Sequence, residues 1–314
     1  VLDAVRPDHL SYYGYKRNTS PCLDNIAKEG IIFTQAIAQD TWTPSLASIL
    51  TSTHAIHHNF DSFGDTVNKS LITLPELLKE NGYRTCFIGP YLFSKIKGFN
   101  RGFDNFNTGV KDILKDSLFI FFRTIAIVDK MIKFILYRLP FGLKRLANIY
   151  PQIINNARAD IVTHKAIKWL KANSTKPLFL WLHYFDCHLS PYRTPSPYNR
   201  IFLNDGFEQN KQLNPPLLWN RIFGLDGISA YKSEKGIRNA EYYISQYDGA
   251  IRFIDEQIGI LLSFLKKLKL DDDILIIISA NHGEYLGEHN FYFSHTGVPF
   301  EPVIRVPLII KYSK

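Results

Sequence analysis

The sequence has few cysteines and no long apolar run. The first absence argues against a disulfide-stabilised fold, and the second excludes a membrane-spanning helix within this sequence. Its three cysteines are Cys22, Cys86 and Cys187, and their spacing does not resemble that of a metal site. An odd and sparse set argues against a disulfide framework and fits a reducing compartment, so we expect a cytoplasmic or membrane-associated location. A membrane-spanning helix needs about 18 consecutive apolar residues, and no such run is present.

Dense basic segments are also missing, although the sequence carries a formal net charge of +8. Without a basic arm, a zinc-finger pattern or an RNA-binding motif, the sequence does not predict a nucleic-acid partner. Positive charge that is spread along the chain suits a small anionic substrate. The hydrophobic content of 46% is enough for a substantial core, which excludes a disordered chain.

Alternating strand and helix patterns predict an α/β fold with a doubly wound, mostly parallel sheet and helices on both faces. The most apolar segment, 274–278, predicts a strand that is buried on both faces, as is typical of parallel sheets. We interpret residues 1–314 as a single domain. Because the sequence begins at Val1, inside a predicted strand, we expect it to be part of a longer chain.

Two segments interrupt the alternation, a helical insertion at 111–150 and a long loop at 190–227 that is rich in proline, asparagine and glycine. Residues 116–146 of the insertion have apolar positions at helical spacing, with basic residues between them. Core packing of an inserted helix explains this pattern, and we favour it. The alternative is an interfacial amphipathic helix, which predicts membrane contact through 116–146.

Polar side chains follow the apolar segment 274–278, at the predicted carboxyl end of a central strand. Asn281 and His282 offer an oxygen and an imidazole nitrogen to a divalent cation. Asp3, at the end of the first predicted strand, would project from the same edge of the sheet, where open α/β sheets bind their ligands. A carboxylate there suits a hard cation. Each feature alone is equally well explained by a turn or a helix cap, and only the combination predicts a metal site.

Small hydroxyl side chains open another predicted helix, with Pro44 in its first turn. They belong to Thr41, Thr43 and Ser45. The N–H groups and the macrodipole of such a helix terminus stabilise an anion, and a hydroxyl beside a metal can act as a nucleophile. Ordinary helix capping is the better explanation on local evidence alone.

Two histidines follow the predicted buried strand 177–182, at the same edge of the sheet. They are His183 and His188. His188 is suited to contact an anionic group or to protonate a leaving oxygen, because imidazole titrates near neutral pH. We expect Arg6, Ser45 and His183 to contact the substrate.

Short segments with a characteristic order extend over nearly the whole sequence. They are DAVRPD at 3–8, SPCLD at 20–24, EGIIF at 29–33, PSLASILT at 44–51, GFDNF at 102–106, the strand that leads to His188, YD at 247–248, NHGE at 281–284 and IRVPL at 304–308. Together they resemble the sulfatase branch of the alkaline-phosphatase superfamily. The combination is specific, although no single segment is.

The resemblance implies a doubly wound sheet with one divalent cation, Ca²⁺, Mn²⁺, Mg²⁺ or Zn²⁺, at its carboxyl edge. Carried over by position, the metal ligands would be Asp3, Asn281 and His282. His188 would match a family histidine near the transferred group. His295 would match a second histidine further along the chain.

The departures from the family pattern decide which chemistry is predicted. In true sulfatases the cysteine of the motif Cys-x-Pro-Ser-Arg is oxidised to formylglycine. An ungapped match to this motif places Trp42 at the position of the cysteine and Leu46 at the position of the arginine. The segment GPYL at 89–92 lacks the family's lysine and histidine. Ala4 stands at the position of a second acidic ligand, and Asn281 stands where an aspartate is usual. A formylglycine mechanism is therefore not expected.

Relatives in the wider superfamily use a threonine that attacks phosphorus. If the alignment is shifted by one residue, this resemblance makes Thr43 the expected nucleophile, with Thr41 as the second candidate. His188 or His295 would then protonate the leaving oxygen. The predicted function is a metal-dependent hydrolase of sulfate or phosphate esters. One alternative is a phosphoryl transferase that acts on a glycan or a lipid head group. The other, favoured by the missing carboxylate at Ala4, is a degenerate module that binds an anionic glycan or a partner without turnover.

Overall fold

The structure, a computed structural model, describes residues 1–60, 65–90, 98–108, 157–173, 177–189, 194–203, 213, 237–295 and 298–312. Its helices are α1 (Pro21–Lys28), α2 (Pro44–Thr51), α3 (Ala55–His58), α4 (Leu74–Glu80), α5 (Ala159–Asn173), α6 (Asp186–Leu189), α7 (Ala240–Lys267) and α8 (Glu301–Ile304). Its strands are β1 (Ile31–Ile37), β2 (Arg84–Ile88), β3 (Asn105–Asn107), β4 (Leu178–Leu182), β5 (Leu275–Ser279), β6 (Tyr285–Leu286), β7 (Tyr292–Ser294) and β8 (Arg305–Tyr312). The predicted insertion at 111–150, the segment 91–92 and most of the loop 190–227 lie outside the described residues.

The first three residues join two three-stranded sheets at the centre of the fold. On one side β3, β2 and β4 pair in parallel, and on the other side β1 and β5 flank β8 in antiparallel pairs. Residues 1–3 lie between β4 and β5, because the N–H of Leu2 donates to the carbonyl of Ser279 and the N–H of Asp3 donates to that of Tyr184. The order across the sheet is therefore β3, β2, β4, residues 1–3, β5, β8, β1.

Alternate residues of β2 pack into two hydrophobic cores, one on each face of the sheet. Cys86 and Ile88 belong to the larger core, which also contains the buried sides of α1, α5 and α7. Phe87 belongs to the smaller core, together with Leu46 and Leu50 of α2. Helices therefore pack on both faces of the sheet, and the predicted doubly wound α/β class is confirmed.

The prediction that the apolar strand at 274–278 is parallel and buried on both faces is wrong. β5 begins at Leu275 and pairs with β8 in antiparallel fashion. Ile278 packs against the larger core. Leu275 and Ile277 project from the opposite face and are 55% and 53% exposed. The apolar run identified a strand, but it carries no information about which strand pairs with it or which face is covered.

Helix α7 connects the larger core to the N-terminal part of the chain. Its first turn is capped by Asn239, whose side chain accepts from the N–H of Glu241. Its buried side carries carboxylates as well as apolar groups: the side chain of Asp255 accepts from the N–H groups of Cys22 and Leu23 at the start of α1. Among the described helices, none combines the length and the apolar character that crossing a membrane requires.

Candidate active site

Asp3 is the centre of the site, and its side chain is only 2% exposed. One carboxylate oxygen, Oδ2, accepts a 2.7 Å hydrogen bond from Nε2 of His183, and Oδ1 lies 3.2 Å from Nε2 of His282. Burial raises the pKa of Asp3, but the charge of His188 and the hydrogen bonds from His183 and His282 outweigh it and hold that pKa well below its usual range. Asp3 is therefore a buried anion at the end of the central strand.

His183 fixes the carboxylate of Asp3 through a hydrogen bond. Because a carboxylate only accepts hydrogen bonds, Nε2 of His183 carries the proton in this pair. Burial, the largest influence, lowers the pKa of His183 despite the bond to Asp3, so the ring is neutral. A Cβ atom at Gly89 would lie 2.8 Å from that of His183, which leaves room only for glycine there. The structure thus places His183, the predicted substrate contact, against Asp3.

His282 presents a nitrogen lone pair to Asp3. Its Nδ1 is 2.7 Å from the carbonyl of Gly283, so Nδ1 carries a proton and the Nε2 of a neutral ring does not. Two lone-pair atoms at 3.2 Å repel each other unless a proton or a cation lies between them. Burial lowers the pKa of His282, but the hydrogen bond to Asp3 and its charge outweigh burial and raise it. The position between Oδ1 of Asp3 and Nε2 of His282 therefore suits a cation.

Asn281, the residue before His282, offers a further oxygen donor. Its side chain is buried, and its Oδ1 has no hydrogen-bond partner in the part of the chain that the structure describes. A buried polar atom without a partner costs about 1–3 kcal/mol, which a bound cation would offset. The donor set of Asp3, Asn281 and His282 therefore fits the divalent cation that the sequence predicts, with two oxygen donors and one imidazole.

Three histidine rings, those of His188, His282 and His295, gather at this position, with their ligand nitrogens within 4.8 Å of one another. The ring of His295 stacks on that of His282 with 4.3 Å between centroids and lies 4.6 Å from that of His188. His188 is carried by α6, and His295 follows β7 directly. The two predicted proton donors thus lie beside the predicted metal ligands, where they can contact an anionic group.

Glu284 is a buried carboxylate for which the sequence predicted no role. Its Oε2 lies 3.4 Å from Nδ1 of His295, and its side chain is 2% exposed. A carboxylate behind an imidazole fixes the orientation of the ring and raises its basicity. In the sequence Glu284 belongs to the segment NHGE at 281–284, and that segment does not indicate a contact with His295.

The guanidinium of Arg6 is bound by two carboxylates, those of Asp8 and Glu288. Its guanidinium donates two hydrogen bonds to Asp8, at 2.9 and 2.6 Å, one to Glu288 at 2.7 Å and one to the carbonyl of Glu284 at 3.2 Å. Burial lowers the pKa of Arg6, but Asp8 and Glu288 outweigh it and raise that pKa. Arg6, predicted to contact the substrate, connects the first loop to the segment after β5 in this structure.

The predicted hydroxyl cluster lies at the start of α2. The hydroxyl of Ser45 donates to the carbonyl of Asp40 at 2.6 Å and accepts from its N–H at 3.0 Å. Thr41 donates to the carboxylate of Asp40 through its N–H at 2.6 Å and through its hydroxyl at 3.4 Å. Thr43 occupies the N-cap position, but its hydroxyl does not cap the described turn of the helix. Of the three, Thr43 is the one whose hydroxyl makes no hydrogen bond to another of the described residues.

One face of α2 lies beside His183, the residue that donates a hydrogen bond to Asp3. Thr43, Leu46 and Leu50 share a face of the helix because they follow one another at spacings of about three and four residues. Leu46 and Leu50 line a small apolar cavity together with His183. Since His183 bonds directly to Asp3, α2 packs beside a residue of the site, and the role of Thr43 stays a prediction.

Comparisons with known proteins agree with this fold. The family model described as Sulfatase matches residues 1–314. An N-acetylglucosamine-6-O-sulfatase of Bacteroides thetaiotaomicron is 24% identical, over 100% of this chain and 63% of its own length. Iduronate 2-sulfatase of Homo sapiens is 25% identical, over 98% of this chain and 58% of its own. The chain thus spans less than two thirds of the length of these relatives.

A likeness to solved structures extends over the same residues. The phosphonate monoester hydrolase of Agrobacterium radiobacter superposes with a TM-score of 0.70 at 20% sequence identity, covering 99% of this chain and 67% of that one. At this level of identity the likeness shows a shared fold.

Proposed function

The chain belongs to the sulfatase family, and we propose that it is a metal-dependent hydrolase of sulfate or phosphate esters with Thr43 as its nucleophile. The observation that carries the proposal is the convergence of Asp3, His282 and two further histidines at the carboxyl edge of the sheet. The alkaline-phosphatase superfamily is metal-dependent in general, and the donors present here fit that requirement.

Asp3, Asn281 and His282 would hold the cation. When bound, the cation supplies positive charge that stabilises the charge developing on the transferred group. His183 keeps the carboxylate of Asp3 in place by donating to its Oδ2. The carbonyl of Gly283 fixes the ring of His282 so that its Nε2 faces the site. These supporting bonds come from buried groups, so the ligand positions are set before a cation or a substrate arrives.

Thr43 would act as the nucleophile, and one of the two histidines would act as the general acid. The hydroxyl oxygen of Thr43 would form a bond to the sulfur or phosphorus atom and give up its proton to water, while the bond from that atom to the ester oxygen breaks. His188 or His295 delivers a proton to the departing oxygen. Water then hydrolyses the threonine ester and restores the hydroxyl. The N–H groups at the start of α2 stabilise the anionic group during both steps.

Two features support a phosphate-type ester ahead of a sulfate ester within this proposal. Trp42 stands where the formylglycine precursor would be, which leaves a threonine as the proposed nucleophile, and the fold is shared with a phosphonate monoester hydrolase. Sugar esters are a substrate class to test in either case, because two curated relatives are named as sulfatases of N-acetylglucosamine and iduronate.

Hydrolysis of paired aryl esters tests the proposal. 4-Nitrophenyl phosphate and 4-nitrophenyl sulfate would each be offered with Mn²⁺, Zn²⁺, Ca²⁺ or Mg²⁺. We expect turnover that requires the added cation, and the preferred ester decides between phosphate and sulfate. A folded protein that binds a cation but turns over neither aryl esters nor sugar esters would instead be the degenerate binding module. Ala4, which supplies no ligand where the family has an acidic residue, is the observation that favours this second candidate.

Replacing Asn281 by aspartate is expected to tighten cation binding roughly tenfold or more, because affinity for hard cations rises with the number of charged ligands. The measurement is the dissociation constant for Mn²⁺ by titration calorimetry. Asn81→Asp is a matched control, since it adds the same charge at the exposed end of α4. Equal affinities in Asn281→Asp and wild type would remove Asn281 from the ligand set.

A further inference from the structure

Ala4, the residue after Asp3, has a backbone conformation that alanine rarely adopts. Its φ is 60°, in the left-handed region, and its side chain is completely buried. This region is unfavourable for residues with a Cβ atom, because the Cβ approaches the following carbonyl oxygen. Such a conformation persists only where the surrounding structure holds it in place. The contacts around Ala4 therefore decide where the neighbouring Asp3 points.

A single hydroxyl bonds to the backbone on both sides of this bend. The hydroxyl of Tyr247 donates to the carbonyl of Ala4 at 2.7 Å and accepts from the N–H of Arg6 at 2.9 Å. Tyr247 is 2% exposed, so water does not compete for either bond. The hydroxyl thus links the backbone of residue 4 to that of residue 6. It provides hydrogen bonds to two buried backbone groups that are not paired in a helix or a strand at this bend.

The next residue of α7 fixes the position of Tyr247. Asp248 accepts hydrogen bonds from Arg17 at 2.5 Å and from Tyr15 at 2.7 Å, and Nδ1 of His9 lies 2.7 Å from its other oxygen. The ring of His9 also packs edge-on against the ring of Tyr247, with 5.3 Å between centroids. Helix α7 therefore holds the loop after Asp3 through two consecutive side chains, one bonded to the backbone and one to side chains.

We propose that Tyr247 is a positioning residue, whose hydroxyl keeps Ala4 left-handed and thereby aims the carboxylate of Asp3 at His183 and His282. Residues 1–3 are fixed in the sheet and Arg6 is fixed by its carboxylates, so Ala4 is the point at which the chain must turn. The role of Asp3 as a metal ligand rests on the proposed function. The conformational effect on Ala4 does not, and it can be measured without a metal.

Three variants separate this role from ordinary stabilisation. Tyr247→Phe removes only the hydroxyl. Tyr243→Phe is the matched control: it lies one turn earlier on α7, is fully buried, and loses one 2.7 Å hydrogen bond to the carbonyl of Ile237. Tyr247→Phe combined with Ala4→Gly tests rescue, because glycine adopts positive φ without the penalty from a Cβ atom.

The first readout is the methyl resonance of Ala4 in metal-free protein labelled at alanine methyl groups, assigned by its disappearance in Ala4→Gly. We expect this resonance to move in Tyr247→Phe and to stay in place in Tyr243→Phe. The second readout is the dissociation constant for Mn²⁺, which we expect to rise roughly 10–100-fold in Tyr247→Phe, the range for groups that orient a metal ligand. It should stay within a few-fold of wild type, about threefold, in Tyr243→Phe and in the rescued double variant.

The result that overturns the proposal is an unmoved Ala4 resonance in Tyr247→Phe, or equal losses of Mn²⁺ affinity in the two phenylalanine variants. If Tyr247→Phe does not fold, the double variant decides. Wild-type affinity in the folded double variant supports the positioning role, and failure of the double variant to fold assigns Tyr247 to stability alone. If the wild type binds no Mn²⁺, the proposed metal site fails, while the Ala4 resonance still decides whether Tyr247 sets the bend.

Discussion

Thr43→Ala is expected to lower kcat/KM for the preferred aryl ester by about 10⁴-fold or more, the size of loss seen when a nucleophile is removed. The variant keeps the fold, because the hydroxyl of Thr43 does not cap the described turn of α2. Thr43→Ser should retain measurable turnover, since serine preserves the attacking oxygen. Both the rate and the melting temperature would be measured, so that a loss of chemistry is separated from a loss of structure.

Thr41→Ala and Ser45→Ala are the matched controls for this prediction. Each removes a hydroxyl from the same loop, but these hydroxyls bond to Asp40. We expect them to reduce turnover by less than about tenfold and to lower stability by roughly 0.5–2 kcal/mol through the lost loop bonds. Turnover that survives in Thr43→Ala and disappears in Thr41→Ala would transfer the nucleophile to Thr41.

The second large effect concerns the proton that the leaving oxygen needs. Replacing the general acid, His188 or His295, by glutamine is expected to slow hydrolysis of an alkyl ester by roughly 10²–10⁴-fold. The loss with a 4-nitrophenyl ester should be far smaller, because 4-nitrophenolate departs without being protonated. The histidine whose replacement shows this dependence on the leaving group is the acid.

His57→Gln, on the exposed surface of α3, is the control, and it should leave both esters unaffected. Equal losses for the alkyl and the aryl ester in both His188→Gln and His295→Gln would contradict an acid role. Both rings would then serve to bind the anionic group or the cation, for which their nitrogens are close enough.

The sequence predicted the parts of the site that depend only on the ends of strands. Asp3 and His282 lie at the ends of neighbouring strands, and the structure brings their side chains within 3.2 Å of each other. Local periodicity also predicts a strand at 84–88 and a long helix at 242–269, and the structure has β2 at Arg84–Ile88 and α7 at Ala240–Lys267. These features follow from local periodicity and from the rule that parallel strands end at a common edge.

Contacts between distant residues could not be predicted in the same way. Tyr247 bonds to the carbonyl of Ala4 across 243 positions, and Arg6 bonds to Glu288 across 282. No pattern in the sequence connects such pairs, since they depend on how α7 and the segment after β5 pack. The same reason explains the antiparallel pairing of β5 with β8, and the placement of His183 against Asp3 instead of towards open space.

The metal content of the purified protein tests the central claim most directly. The claim is that Asp3, Asn281 and His282 hold the cation on which hydrolysis depends. Mass spectrometry of dissolved metals, after incubation with Mn²⁺, Zn²⁺, Ca²⁺ or Mg²⁺ and dialysis, would be applied to wild type, Asp3→Ala and the exposed control Asp272→Ala. We expect stoichiometric cation in wild type and control and its loss in folded Asp3→Ala. A folded wild-type protein that retains none of these cations would contradict the claim.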